Sequence, residues 1–405
     1  MLPSSIFVVF LTFFNVIFAK DLDAEINMTT PEIIQHWGYP AQIFTATTTD
    51  GYILEMHRIP NGKTNVTWPK GKRPVVFMQH GLMGESSNWV DNLPDESAGF
   101  LFADAGFDVW LGNMRGETYS TKHVTLDPSQ EAFWKFSWDE MAKYDLEAQI
   151  NKVLEVTGEE SIYYIGHSQG TLTMFAHLSQ DQGGDFSKKI KKFFALAPIG
   201  SVKNIKGALQ YLATHYGTDL ELYYDLFGTK DVKPSSWVLN WLSDKVCSGI
   251  KLEQDLCDDF FFQIMGPESN QWNETRLPVY TSHIAGTSTM NLVHWLQMVQ
   301  HGGVPMMDYG KKQNIKHYGQ DTPPVYDFTK IKNVPVYLYW SEADWLGDAT
   351  DVTNYLIPKL TTANVIAANN HLPEFNHVDF IWGLRAPKSI YQPIIDISKA
   401  DFLQS

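Results

Sequence analysis

Basic residues are in short supply in this chain. Its 405 residues carry 31 lysines and arginines against 46 aspartates and glutamates, a formal charge of −15. A surface of that sign has little attraction for nucleic-acid phosphates, so no nucleic-acid partner is expected. Cysteine is scarcer still. Cys247 and Cys257 are the only two, ten residues apart, and an oxidising compartment can join them in a single disulfide with no thiol left over. There is no internal repeat, no low-complexity tract and no long run of like charge, which removes repeat and tail-like architectures from consideration. Long apolar runs are also missing, with one exception at the N-terminus. Ile6 to Ala19 is apolar apart from Thr12 and Asn15, and Lys20 and Asp21 follow. That run falls short of the ~20 residues a bilayer span requires, and the small Ala19 offers a cleavage point. Residues 1–19 are therefore expected to be a signal peptide, although the segment before the apolar run lacks a basic side chain, and the mature chain is expected to carry no transmembrane span.

What is present fits export. Asn27-Met28-Thr29, Asn65-Val66-Thr67 and Asn273-Glu274-Thr275 are N-glycosylation acceptors. Together with the signal peptide they point to the secretory pathway, ending in the lysosome or outside the cell. Hydrophobic residues make up 44% of the chain and charged residues 19%, the balance of an ordinary globular protein. The length suffices for one large domain with an insertion.

Periodicity gives the organisation. Tyr39 to Pro60 alternates around Asp50-Gly51 and predicts two antiparallel strands. Val75–Met78, Phe107–Leu111, Ile162–Ile165, Phe193–Ala197, Val336–Trp340 and Ala363–Ala367 read as further strands. Ala98–Ala105, Trp138–Val156 and Leu172–Gln180 read as the helices between them. Strands alternating with helices predict an α/β fold with a mostly parallel sheet covered on both faces. The rhythm breaks from 199 to 333, where aromatic-rich helical text such as Gly207 to Gly228 shows no parallel-strand run. Aromatic stripes usually mean core, but this stretch interrupts the strands that frame the site and is expected to cap it. The expected division is 20–198 and 334–405 for the core and 199–333 for the helical cap and lid.

At the junction of strand and helix stands Gly166-His167-Ser168-Gln169-Gly170. A turn this abrupt strains its central residue and needs neighbours without side chains, so that the serine hydroxyl stands above the sheet end. A serine there asks for an imidazole to take its proton and a carboxylate to hold the imidazole, following it in the order serine, acid, histidine. His377 lies in the loop after the last strand, with His371 its nearest rival, while His167 is inside the turn itself. Among the acids, Asp344 lies at the carboxyl end of Val336–Trp340, with Glu342, Asp348 and Asp351 as competitors on spacing alone. The developing oxyanion needs two backbone N–H groups, worth roughly 3 kcal/mol each. Gln169 would supply one and Leu82, after His80-Gly81, the other.

Several stretches closely resemble the acid lipases of animals, the group containing gastric and lysosomal acid lipase. They are Phe77–Val90, Phe102–Asn113, Phe133–Leu146, Gly166–Thr171, Gly286–Trp295 and His377–Pro387, and the resemblance runs from about Trp37 to Ile397. It implies an α/β-hydrolase core with a cap and lid, and hydrolysis of triacylglycerols or cholesteryl esters at a droplet, micelle or lipoprotein surface. It implies Ser168 as nucleophile, Asp344 as acid, His377 as base, Leu82 and Gln169 as oxyanion donors, and a cap disulfide between Cys247 and Cys257. Neither a metal nor an organic cofactor is called for. Two other functions compete: a soluble carboxylesterase acting on short dissolved esters, and a lipid carrier that kept the fold without the chemistry.

Overall fold

The computed structural model describes residues 24–64, 66–232, 266–267 and 269–404. Residues 1–19, expected to be a signal peptide, Asn65, Cys247 and Cys257 lie outside the described residues, as does part of the expected 199–333 insertion.

Eleven strands occur among the described residues: β1 (Gln42–Thr47), β2 (Tyr52–Ile59), β3 (Val75–Gln79), β4 (Asp108–Gly112), β5 (Lys122–His123), β6 (Ile162–His167), β7 (Ile190–Leu196), β8 (Asp231–Val232), β9 (Thr287–Ser288), β10 (Val336–Trp340) and β11 (Ile366–His371). The main sheet runs β1-β2-β4-β3-β6-β7-β10-β11, with β5 on β2, while β8 and β9 pair separately. From β4 to β11 every pairing is parallel, and β1–β2 and β2–β4 are antiparallel. This is a mixed, mostly parallel α/β-hydrolase sheet.

The parallel strands are buried on both faces, which is why they read as continuous apolar runs. The pleat splits each run between two cores. Val75 and Phe77 of β3 and Ile162 and Tyr164 of β6 join one apolar cluster. Val76, Met78, Tyr163 and Ile165 join the cluster on the opposite face.

One expected strand is displaced. The segment proposed at Ala363–Ala367 begins only at Ile366, because the preceding helix Ile357–Ala363 persists and is stopped by Asn364 in the left-handed conformation, φ 57°. Asparagine tolerates that conformation better than most residues and is a common helix terminator. The apolar run alone could not separate the last helical turn from the first strand residues.

Four helices matter for the site: α1 (Ala98–Asp104), α2 (Leu146–Thr157), α3 (Gln169–Asp181) and α4 (Thr289–His301). Helix α3 follows β6, and α4 belongs to the insertion. Yet Val293, Trp295, Leu296 and Met298 of α4 pack in the same apolar cluster as Phe77, Tyr164 and Phe193 of the sheet. Arg276, 1% exposed, ties the insertion to the N-terminal segment by donating from Nη1 to Glu25 at 2.7 Å, and to the Asp91 carbonyl from Nε at 2.9 Å. Much of the insertion thus shares the hydrophobic core of the sheet.

Candidate active site

Strand β6 ends at His167 and helix α3 starts at Gln169, so a single residue makes the turn. Ser168 takes φ 52°, ψ −121°, a backbone state that costs a non-glycine residue about 1–3 kcal/mol and persists only where its surroundings impose it. Here they do. The Ser168 N–H donates to the Leu196 carbonyl at the end of β7 (3.1 Å), and its carbonyl accepts from the N–H of Thr171 (2.8 Å). The flanking glycines are required for closeness rather than for conformational freedom. A methyl on Gly166 would stand 2.8 Å from the Gly170 carbonyl oxygen, and one on Gly170 would stand 2.6 Å from that of Gln79.

Ser168, Asp344 and His377 lie together at the carboxyl ends of the strands. The Ser168 hydroxyl donates to His377 Nε2 (2.7 Å), and His377 Nδ1–H donates to Asp344, 2.9 Å from Oδ1 and 3.0 Å from Oδ2. All three are at most 4% exposed. Asp344 Oδ1 also accepts from the backbone N–H groups of Leu346 (2.9 Å) and Gly347 (2.8 Å), which fixes the carboxylate plane. Such a line can draw a proton from a serine and hold the resulting imidazolium.

The rival side chains are occupied elsewhere. His371 and Glu342 pair with each other in an exposed position at the end of β11. Asp348 caps the next helix by accepting from Thr350 N–H (2.8 Å) and pairs with Lys206. Asp351 accepts from the N–H of Asn204 (2.7 Å). His167 lies beside His377, ring centroids 4.9 Å apart, and its Nε2–H donates to the His377 carbonyl (2.8 Å). Burial pushes its imidazole down to about 3, so it holds the loop as a neutral group. Asp379 braces the same loop, accepting from Asn376 N–H (2.7 Å) and Ser269 Oγ–H (2.9 Å).

The loop after β3 passes directly over the serine: a methyl on Gly81 would stand 2.8 Å from Ser168 Cβ. His80 sets its course. Met114 N–H donates to His80 Nε2 (3.2 Å), which leaves Nδ1–H to donate to the Gly81 carbonyl (2.8 Å). Burial holds this ring neutral as well, down to about 4. Neither the Leu82 N–H nor the Gln169 N–H has an acceptor among the described residues. Two unpaired amides beside a serine suit a developing oxyanion. The Gln169 side chain, by contrast, is engaged at both ends: Oε1 accepts from Asn291 and Trp295 of α4, and Nε2–H donates to Met141 Sδ (3.4 Å). Sequence reasoning did not single out Asn291 and Trp295. Their i, i+4 spacing puts them on one helix face, but nothing local says what that face meets.

Buried acids surround the glycine loop and α4. Burial raises Glu85 to about 7, and burial with the charge of Glu85 raises Glu117 well above its usual range. Burial likewise raises Asp139 to about 7. Burial opposes the charge on His283, but hydrogen bonding and attraction from Asp91, 3.4 Å away, prevail and lift it to about 9. Between about pH 4.5 and 7 the folded chain therefore holds protons on Glu85 and Asp139 that the unfolded chain has released, and between about pH 6.5 and 9 it holds one on His283. Through these groups stability must fall as pH rises through each window. Below pH 6.5 the buried neutral rings of His80, His167 and His294 work in the opposite direction, because the unfolded chain takes up protons that they refuse. The expected result is a melting temperature that declines by several degrees from pH 6.5 to pH 9, measured by thermal denaturation at constant ionic strength. A midpoint still rising above pH 7 would contradict these protonation states.

Comparison with known proteins agrees with this architecture. Residues 74–384 match the family model described as alpha/beta hydrolase fold, and residues 30–93 match the one described as partial alpha/beta-hydrolase lipase region. The chain is 62% identical over 400 residues to Lipase lipl-5 of Caenorhabditis elegans, covering 97% of this chain and 99% of the relative. It is 45% identical over 380 residues to human lysosomal acid lipase/cholesteryl ester hydrolase, covering 93% and 92%. It is 41% identical over 387 residues to bovine gastric triacylglycerol lipase, covering 95% and 94%.

Proposed function

The chain belongs to the acid lipase family of animal α/β-hydrolases and is a lipase; we propose that it cleaves the ester bonds of triacylglycerols, cholesteryl esters or both through an acyl-enzyme on Ser168. The observation that carries this reading is the hydrogen-bonded line from Asp344 through His377 to Ser168, set beside two backbone amides with no other acceptor among the described residues.

In the proposed reaction, Ser168 Oγ attacks the ester carbonyl carbon as His377 Nε2 takes its proton. The carbonyl oxygen becomes an oxyanion that accepts from the N–H groups of Leu82 and Gln169. The C–O bond to the alcohol then breaks, and His377 Nε2–H protonates the departing alkoxide. Water, deprotonated by His377, attacks the acyl-serine, and His377 Nε2–H returns that proton to the departing Ser168 Oγ as the fatty acid is released. Asp344 keeps Nδ1 protonated throughout, so that Nε2 faces the serine as an acceptor.

The insertion at 199–333 is proposed to cap the site. Parts of it touch the surrounding loops: a methyl on Gly266 would stand 2.6 Å from the Ala343 carbonyl oxygen and 3.3 Å from Asn376 Cβ, and Ala285 N–H donates to the Met83 carbonyl (2.9 Å). The lysosomal and gastric relatives support a destination in the lysosome or outside the cell. Glycosylation is proposed at Asn27, Asn65 and Asn273, and a disulfide between Cys247 and Cys257.

The test is purified mature protein assayed against triolein, cholesteryl oleate and short p-nitrophenyl esters across pH. The expected result is hydrolysis of at least one emulsified long-chain lipid, rising once substrate forms an interface, with an optimum on the acid side of neutrality. Activity confined to dissolved short esters and peaking in alkali would replace this reading with a soluble carboxylesterase.

A further inference from the structure

Ala285–Trp295 includes the whole of a stretch that resembles the acid lipases, Gly286–Trp295, yet none of its side chains has a place in the reaction above. Two of its side chains nevertheless converge on a single buried target. Gln169 Oε1 accepts from Trp295 Nε1–H at 2.7 Å and from Asn291 Nδ2–H at 3.0 Å. The indole nitrogen can only donate, so it fixes which end of the Gln169 amide faces α4, and Asn291 must then present its NH₂ group. Asn291 is held in turn: its Nδ2–H also donates to Thr287 Oγ1 (3.0 Å), and its N–H donates to Ser288 Oγ (2.9 Å). Gln169, Asn291 and Trp295 are 3%, 0% and 0% exposed. Desolvated donors and acceptors in this setting are costly to leave unpaired. The Gln169 amide is bonded at both ends, by α4 and by Met141 Sδ (3.4 Å), whereas Asn291 Oδ1 is buried without a partner. The same segment reaches the other side of the serine, where Ala285 N–H donates to Met83, the residue after Leu82.

We infer that Asn291 and Trp295 are positioning residues for the oxyanion site. They act through the Gln169 side chain to hold the Gln169 backbone N–H in the direction the developing oxyanion requires. Gln169 is the first residue of α3 and follows a strained one. The Ser168 carbonyl, which shares a peptide plane with the Gln169 N–H, accepts from Thr171 N–H (2.8 Å) and Thr171 Oγ–H (2.7 Å), and the clamp on the Gln169 side chain holds the other end of the residue. An interaction that aims a donor at the transition state lowers the barrier without tightening substrate binding. The insertion is on this account part of the catalytic support and not only a cover for lipid.

This inference rests on the Ser168 chemistry proposed above. The experiment uses full-length mature enzyme and p-nitrophenyl butyrate, a dissolved ester that needs no interface. The variants are Asn291→Ala, Trp295→Phe, Gln169→Met and the double variant Asn291→Ala/Gln169→Met. Each single change is expected to lower kcat by about 10- to 100-fold, the scale of loss from misplacing a catalytic group by about 1 Å, with KM little changed. Affinity for a trifluoromethyl ketone, which becomes a tetrahedral oxyanion on adding Ser168 Oγ, should fall by the same factor as kcat/KM. The double variant should be no slower than Gln169→Met alone, because both changes release the same side chain.

Folded Asn291→Ala and Trp295→Phe enzymes with wild-type kcat, or losses that multiply in the double variant, overturn the inference. Failure of both single variants to fold assigns the pair a structural role and overturns it equally. If instead Ser168→Ala hydrolyses the ester as fast as wild type, it is the proposed reaction that fails.

Discussion

Replacing Ser168 by alanine is expected to lower kcat/KM by about 10⁴- to 10⁶-fold, the range seen when a hydrolase loses its nucleophile but keeps the rest of its site. The fold should survive. The hydroxyl makes one side-chain hydrogen bond, to His377, while the turn is held by the Ser168 N–H on Leu196 and the Ser168 carbonyl on Thr171, which alanine retains. Alanine also keeps the Cβ, so the backbone strain at φ 52° is unaltered and the melting temperature should move little. A fluorophosphonate should label the wild type on the peptide containing Ser168 and leave the variant unlabelled. Equal labelling of the two proteins would remove Ser168 from the reaction.

Asp344→Asn is expected to be nearly as damaging, with kcat falling about 10⁴-fold, as for the equivalent change in a comparable triad. The reason lies in what else Asp344 bonds. Its Oδ1 accepts from the N–H groups of Leu346 and Gly347. An asparagine would keep its carbonyl oxygen toward those two donors and turn its NH₂ toward His377. His377 Nδ1 would then have to accept, its proton would move to Nε2, and Ser168 would face a donor. The base would be present in the wrong tautomer, so substrate binding should change far less than kcat. Glu342→Gln, made in the exposed pair with His371, serves as the control and should retain most of the activity. If Glu342→Gln were the inactive variant and Asp344→Asn the active one, the assignment of the acid would be reversed.

The comparison of these two carboxylates shows how much of the site could be read from the chain. Glu342, Asp344, Asp348 and Asp351 crowd one short stretch after a strand, and spacing ranks them only weakly. What separates them is their partners: His371 for Glu342, a helix N-terminus for Asp348, Asn204 for Asp351, and His377 for Asp344. Each choice depends on where β10, β11 and the loop after them come to lie. Asn291 and Trp295 were less legible still. An apolar helix bearing two polar groups on one face resembles any buried helix until its neighbour is known. The shift of the last strand to Ile366–His371 has a more local cause, since Asn364 lets helix Ile357–Ala363 run to its end before the chain turns.

The sequence by itself determined the features that short-range sterics and periodicity control. Gly166 and Gly170 around Ser168 dictate a turn that only small neighbours permit, and the buried runs from Val75 to Trp340 dictate a parallel sheet, because each element is specified within a few residues of itself. Tertiary structure alone decided which histidine and which acid meet the serine, and that α4 would grip Gln169 from 122 and 126 residues away. Those pairings depend on the order β1-β2-β4-β3-β6-β7-β10-β11, set by long-range packing that brings distant strand ends together, and no local pattern of residues encodes the distance between them.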